Sequence, residues 1–232
     1  MKLQALFAAV VVLVIGFSLG CKNDNAAISG VNTEDAAKLN ASRSPFESSQ
    51  DPPIAPETRF AAGQLAETQG APAAAVAQYQ LVLKTDPDYV PALYRLGVIF
   101  TQAKQYPTAL DYWSRYVKAT QEAPGAYADL GVCFDLADRP DEAAAAFEKG
   151  IARDPKNSPC RVNYGLMLAR RGRMAEAAEQ WRAALPEADV HYNLGSVYEL
   201  QGRRQQAKAE YRKALELNPR LADAQSRLAR LD

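Results

Sequence analysis

Histidine is almost missing from this chain of 232 residues, which has His191 and no other. A lone imidazole leaves no Ser–His or Cys–His pair to activate a nucleophile, and no His-based cluster to hold a metal. Cysteine is scarce too, at three residues, Cys21, Cys133 and Cys160. No glycine-rich loop of the kind that cradles phosphate is present. Charge of one sign is not in excess either: 27 basic side chains balance 27 acidic ones, which gives no support to wholesale nucleic-acid binding. The apolar run from Ala5 to Leu19 holds fifteen residues, short of the roughly 17–25 that span a bilayer. Carboxylates are plentiful but fall mostly on solvated faces. No catalytic residue, metal site, cofactor or small-molecule substrate is therefore assigned, and an enzyme is not the expectation. Hydrophobic residues make up 48% and charged ones 23%, ample material for a packed core.

What the chain does have is an internal period. In the stretch Tyr127 to Pro155, Leu130, Gly131 and Phe134 fall three or four apart on one side of a helix. A polar break with Pro140 follows, then a second helical pattern with Ala143 and Phe147 on its inner face, and Pro155 closes the unit. Two short helices cannot bury both apolar faces alone, so the unit should recur. It does. Gly63, Gly97, Gly131, Gly165 and Gly195 stand 34, 34, 34 and 30 residues apart. Twelve residues after each comes an alanine: Ala75, Ala109, Ala143, Ala177 and Ala207. Four further on comes an aromatic: Tyr79, Trp113, Phe147, Trp181 and Tyr211.

Glycine lets the second helix approach the first closely, the alanines do the same from the other side, and the rings fill the wedge between. Pro72, Pro107 and Pro140 begin second helices, where a missing N–H costs nothing. These slots resemble the tetratricopeptide repeat (TPR) family over about residues 56–232. The resemblance implies an all-α, right-handed solenoid of five helix-turn-helix repeats at 56–89, 90–123, 124–157, 158–187 and 188–221, with a capping helix at 222–232. The fourth repeat is four residues short, close to one helical turn. Its second helix is expected to reach Ala183-Ala184-Leu185 before Pro186.

Residues 1–20 read as a targeting segment, with Lys2 its one charge. Its end, Ser18-Leu19-Gly20-Cys21, resembles the bacterial lipobox, although the usual leucine three before the cysteine is Ser18. That resemblance implies lipidation of Cys21; a plain secretory signal and an uncleaved anchor are the alternatives. All three place the repeats outside the cytoplasm, facing the periplasm. Residues 21–55, rich in Asn, Ser, Asp and Pro, read as a tether.

In TPR proteins the concave face is lined by first-helix side chains around the Leu-Gly pair. By slot, these are Phe60 and Gln64, Tyr94 and Val98, Ala128 and Val132, Val162 and Leu166, Tyr192 and Ser196. None is Lys or Arg, so the carboxylate clamp of some TPR domains is absent, apart from Asn163 and Asn193 next door. Phe60, Tyr94, Val98, Val132, Val162, Leu166 and Tyr192 are thus the expected apolar groove, suited to an amphipathic helix or extended apolar segment. Arg139, Arg170, Arg171, Arg173, Arg203 and Arg204 lie in or beside the turns between paired helices. They form either an ordinary solvated edge or a basic strip for an anionic partner or lipid headgroup. His191 fills an aromatic slot and is expected to pack. Cys133 and Cys160 fill slots for small residues and are expected to be inert thiols rather than a disulfide.

The expected function is a non-catalytic scaffold, lipid-anchored in the bacterial cell envelope, that docks protein partners in the groove. The alternative is an accessory or assembly factor for an envelope machine (a type IV pilus pilotin, outer-membrane assembly) or for a peptidoglycan enzyme.

Overall fold

The computed structural model describes residues 54–231. The targeting segment, Cys21 and all but the end of the expected tether lie outside the described residues. Every regular element among those described is a helix, so the fold is all-α. The helices fall into two units, divided along the chain between Arg139 and Pro140. The first unit holds α1 (Pro56–Thr68), α2 (Pro72–Thr85), α3 (Val90–Gln102), α4 (Tyr106–Ala119) and α5 (Pro124–Leu136). The second holds α6 (Pro140–Arg153), α7 (Ser158–Arg170), α8 (Met174–Arg182), α9 (Glu187–Leu200), α10 (Arg204–Leu217) and α11 (Ala222–Leu231). Within the units α1 pairs with α2, α3 with α4, α7 with α8 and α9 with α10, and α11 packs on α10.

Local chemistry sets the boundaries. Proline stands at the first or second position of α1, α2, α3, α4, α5 and α7, where no intrahelical N–H is lost. In α7 the Asn157 side chain also accepts a hydrogen bond from the Cys160 N–H at 3.1 Å, an N-cap. Each first helix ends on one residue with positive φ: Gly70, Lys104, Asp138, Gly172 and Gly202. Behind it the next N–H reaches back five residues, as in Ala71 to Ala66, Gln105 to Phe100 and Arg203 to Tyr198. This closure satisfies carbonyls that the helix end would leave bare.

Packing within a pair rests on the repeated glycine. A Cβ added to Gly97 would sit 2.6 Å from the Trp113 ring, and one on Gly195 would sit 2.7 Å from the Tyr211 ring. Gly63 lies against Tyr79 and Gly165 against Trp181 in the same way. Tyr79, Trp181 and Tyr211 are buried to 1% exposure or less. Gly131 occupies the same slot in α5 and is buried.

The short fourth repeat departs from expectation in one detail. Its second helix, α8, stops at Arg182 rather than running to Leu185. The Ala184 and Leu185 N–H groups both bond to the Trp181 carbonyl, at 3.0 and 2.8 Å, and tighten the chain into a turn. Pro186 then serves as the N-cap residue of α9, and the residue before a proline is pushed out of the helical region.

The glycine contacts make a paired prediction. Gly97→Ala should cost about 1–3 kcal/mol through overpacking against Trp113. Gly125→Ala meets no atom within 4 Å and should be neutral or stabilising by up to about 1 kcal/mol. Urea denaturation of the two variants, followed by circular dichroism, measures both.

Candidate partner-binding surface

The expected groove side chains divide between the two units. In the first unit, Phe60 on α1, Tyr94 on α3 and Val132 on α5 are half-buried. Val98 is not available to a ligand: at 7% exposure it belongs to the core, and Ala128, at 2%, is equally closed. Gln64 is exposed. In the second unit, Val162 and Leu166 on α7 and Tyr192 on α9 are half-buried, as are Asn163, Asn193 and Ser196.

The aromatic slots are tied to the core as well as open to solvent. Phe60 meets Tyr79 and Tyr89 at centroid distances of 5.3 and 5.6 Å. Tyr94 lies edge-on to Trp113 at 5.5 Å and tilted against Tyr116 at 5.5 Å, and Trp113 meets Tyr116 at 5.6 Å. Such pairs add about 0.5–1.5 kcal/mol each beyond the area they bury. Tyr94 is therefore partly a structural residue. Tyr192 meets Tyr211 at 5.8 Å in the second unit.

A polar junction ties the buried Tyr79 and Tyr211 rings to the helices around them. The Tyr79 hydroxyl donates to Glu67 at 2.5 Å, and Arg95 donates to the same carboxylate through two nitrogens. In the second unit the Tyr211 hydroxyl donates to Glu199 at 2.7 Å, and Arg227 donates to it at 3.3 Å. The spacing is the same in both: the tyrosine is 12 residues and the arginine 28 residues after the glutamate.

The α3–α4 pair runs the same register with different chemistry. Trp113 Nε1 donates to Thr101 Oγ1 at 2.9 Å, again 12 residues apart. The position 28 residues after Thr101 is Asp129 on α5. An acid thus stands where Arg95 and Arg227 stand in the other two junctions, and it faces a threonine instead of a glutamate. Asp129 is half-buried, and no hydrogen bond or ion pair reaches its carboxylate from a described residue. Burial pushes its pKa up to about 7. Burial also raises the phenol of Tyr94 and takes that of Tyr116 to about 12, with the Asp129 charge adding to both. The groove slots Ala128 and Val132 flank this carboxylate, yet sequence reasoning passed over it. The signal available was the register shared with Arg95, 34 residues earlier.

The arginines of the turns are mostly engaged locally. Arg139 lies over the Phe134 ring at 4.8 Å and Arg203 over Tyr198 at 4.5 Å. Arg173 pairs with Glu176 at 2.6 Å, and Arg204 donates to the Leu231 carbonyl at 2.8 Å. Arg170 is half-buried, and desolvation followed by repulsion from Arg171 lowers its pKa to about 10. Arg171 is exposed. His191 is half-buried, with Nδ1 2.6 Å from a Glu210 oxygen and Nε2 3.7 Å from Glu187. Cys133 and Cys160 are fully buried, and burial takes the Cys133 thiol up to about 11. Among the described residues no group of three or more His, Cys, Asp or Glu could hold a metal ion.

The Asp129 carboxyl makes stability depend on pH. Folding raises its pKa from about 3.9 to about 7, so the folded chain holds its proton more tightly than the unfolded one. Stability is therefore lost as pH climbs through that window. A shift of this size corresponds to at most about 4 kcal/mol, and water reaching a half-buried group lowers it to about 1–3 kcal/mol. Asp129→Asn should stabilise the chain by that amount at pH 8 and by little at pH 4. Melting curves across the range check the sign.

Comparison with known proteins agrees with this architecture. Tetratricopeptide repeat models match residues 60–127, 94–158, 134–192 and 188–221. Among solved structures, a thermophilic TPR protein of Thermus thermophilus is 24% identical, with a TM-score of 0.56 over 76% of this chain and 98% of that one. PilW, a type IV pilus biogenesis factor, is 20% identical, with a TM-score of 0.57 over 73% of this chain and 80% of that one. At these identities the likeness is one of fold. A curated relative, the general transcriptional corepressor ssn6 of Schizosaccharomyces pombe, is 23% identical over 71% of this chain, which spans 15% of that protein's length. The chain spans 9% of a second, the corepressor trfA of Dictyostelium discoideum. Successive repeat models cover the chain from residue 60 to residue 221, and the glycine–aromatic pairs lie within them: the chain belongs to the tetratricopeptide repeat family.

Proposed function

We propose that this chain is a non-catalytic scaffold, lipid-anchored in the bacterial cell envelope, that binds a protein segment on the first-helix surface of its first unit. TPR proteins are generally non-catalytic protein-interaction scaffolds, and the observation that favours this surface is its half-buried, cation-free apolar slots. Phe60, Tyr94 and Val132 come from three successive first helices and leave ring and methyl surface in reach of solvent. A partner helix or extended strand covering them gains the contact area and desolvation that aromatic anchors supply. The anchoring rests on the sequence around Cys21. No helix among the described residues is long and apolar enough to cross a membrane. A lipid on Cys21 would hold the repeats at a membrane and raise the local concentration of partners there. PilW is a type IV pilus biogenesis factor, which makes pilus components the first partners to try.

Two experiments bear on the reading. Cys21→Ser removes the sulfur that would carry the lipid, so the precursor should stay unprocessed or move to a soluble fraction. Cleavage of the leader with full membrane retention would sink the anchoring claim. Tyr94→Ala combined with Val132→Ser should weaken partner binding about thirtyfold, or about 2 kcal/mol. Some stability is lost with it, because Tyr94 also packs on Trp113 and Tyr116. The folded double variant, checked by circular dichroism, is used as bait against envelope extract. Recovery of the same proteins at the same yield would place binding elsewhere.

A further inference from the structure

Resting on the binding surface just described, we propose that its occupant is a cationic segment, one that places a lysine or arginine side chain on the Asp129 carboxylate beside the rings of Tyr94 and Tyr116.

Three observations lead there. The first is register. Where a first-helix glutamate accepts from a ring hydroxyl, the next helix supplies a cation: Arg95 for Glu67 and Arg227 for Glu199. Asp129 holds that same position on α5, but Thr101 stands in the glutamate's place and is satisfied by Trp113. The two sides of this junction cannot neutralise each other. The second is burial without a partner. A half-buried carboxylate that receives no hydrogen bond from a described residue carries a desolvation cost that a counter-ion offsets. The third is the lining. Tyr94 and Tyr116 sit 5.5 Å apart and feel the Asp129 charge, so a cation brought to the acid lies next to aromatic faces that attract it. Val132, one turn further along α5, offers apolar surface to the stem of a long basic side chain.

Other cations fit less well. A hard divalent ion takes six or more oxygens, whereas this place offers one carboxylate and two phenols. The titratable groups that interact with Asp129 are Tyr94 on α3 and Tyr116 on α4, and Arg95 is the charged side chain next to Tyr94 in the chain. Arg95 is engaged with Glu67, and both phenols are raised and stay neutral. Asp129 is then the group of this set that titrates near neutrality, and docking should strengthen as pH rises and it ionises.

The test is a selection. Randomised short peptides displayed on phage are panned against the full chain in detergent micelles, against Asp129→Asn, and against the Tyr94→Ala, Val132→Ser variant. Wild type should select peptides with one fixed basic position among apolar ones. The best of these, synthesised with blocked ends, should bind Asp129→Asn tenfold or more weakly. Its affinity for wild type should fall as pH drops from about 8 to about 6, while that for Asp129→Asn stays flat. The Asp129 carboxyl carbon resonance should titrate at lower pH when the peptide is bound. Peptides lost with the double variant but lacking a basic residue would overturn the cationic occupant and leave the surface standing. A basic preference unchanged in Asp129→Asn would do the same. If no selected peptide depends on Tyr94 and Val132, the surface itself falls and this proposal with it.

Discussion

The contact between a glycine on the first helix and a ring on the second governs the described hairpins Gly63/Tyr79, Gly97/Trp113, Gly165/Trp181 and Gly195/Tyr211, because no side chain fits between the two. The close approach buries the ring and also fixes where its polar tip emerges. Tyr79 and Tyr211 then reach carboxylates 12 residues earlier, Trp113 reaches a threonine at the same spacing, and Trp181 reaches the Val162 carbonyl at 3.1 Å. The ring chosen for packing therefore selects the polar partner on the first helix. Where that partner is a glutamate, the next helix supplies an arginine: Arg95 for Glu67 and Arg227 for Glu199.

Seen this way, the proposed binding surface is a by-product of how the repeats are joined. Glu67 with Arg95, and Glu199 with Arg227, are closed electrostatic junctions whose charges are matched inside the chain. The α3–α4 junction is closed by Trp113 and Thr101 without any charge, so the acid that follows on α5 is left over. Its position between two groove slots puts an unmatched charge beside the Tyr94 and Tyr116 rings. Stability and binding are coupled at that point: the group that would attract a partner is the one whose ionisation works against the fold.

The arginines show the opposite outcome. A strip of like charge along the turns looked possible from spacing, yet Arg173, Arg203 and Arg204 each spend hydrogen bonds on neighbouring groups, and Arg139 and Arg203 lie over rings. Long cationic side chains near a helix end find local acceptors and aromatic faces readily. Spacing along the chain says nothing about those competitors.

The sequence by itself determined the all-α repeat fold, because glycine, alanine and aromatic slots 12 and 4 residues apart admit one kind of helix pairing. It also determined the starts of α2, α4 and α6, through prolines that lose nothing there, and the burial of Cys133 and Cys160. Tertiary structure decided what a single period cannot express. Val98 sits in a groove slot but is covered by the core, since exposure depends on the neighbouring helices and not on the slot alone. α8 stops short of Leu185 because Trp181's carbonyl and Pro186 turn the chain there. Asp129 looked like one more solvated acid; its lack of a counter-ion became visible only when the side chains on α3, α4 and α5 were in place, because pairing is a property of distance in space.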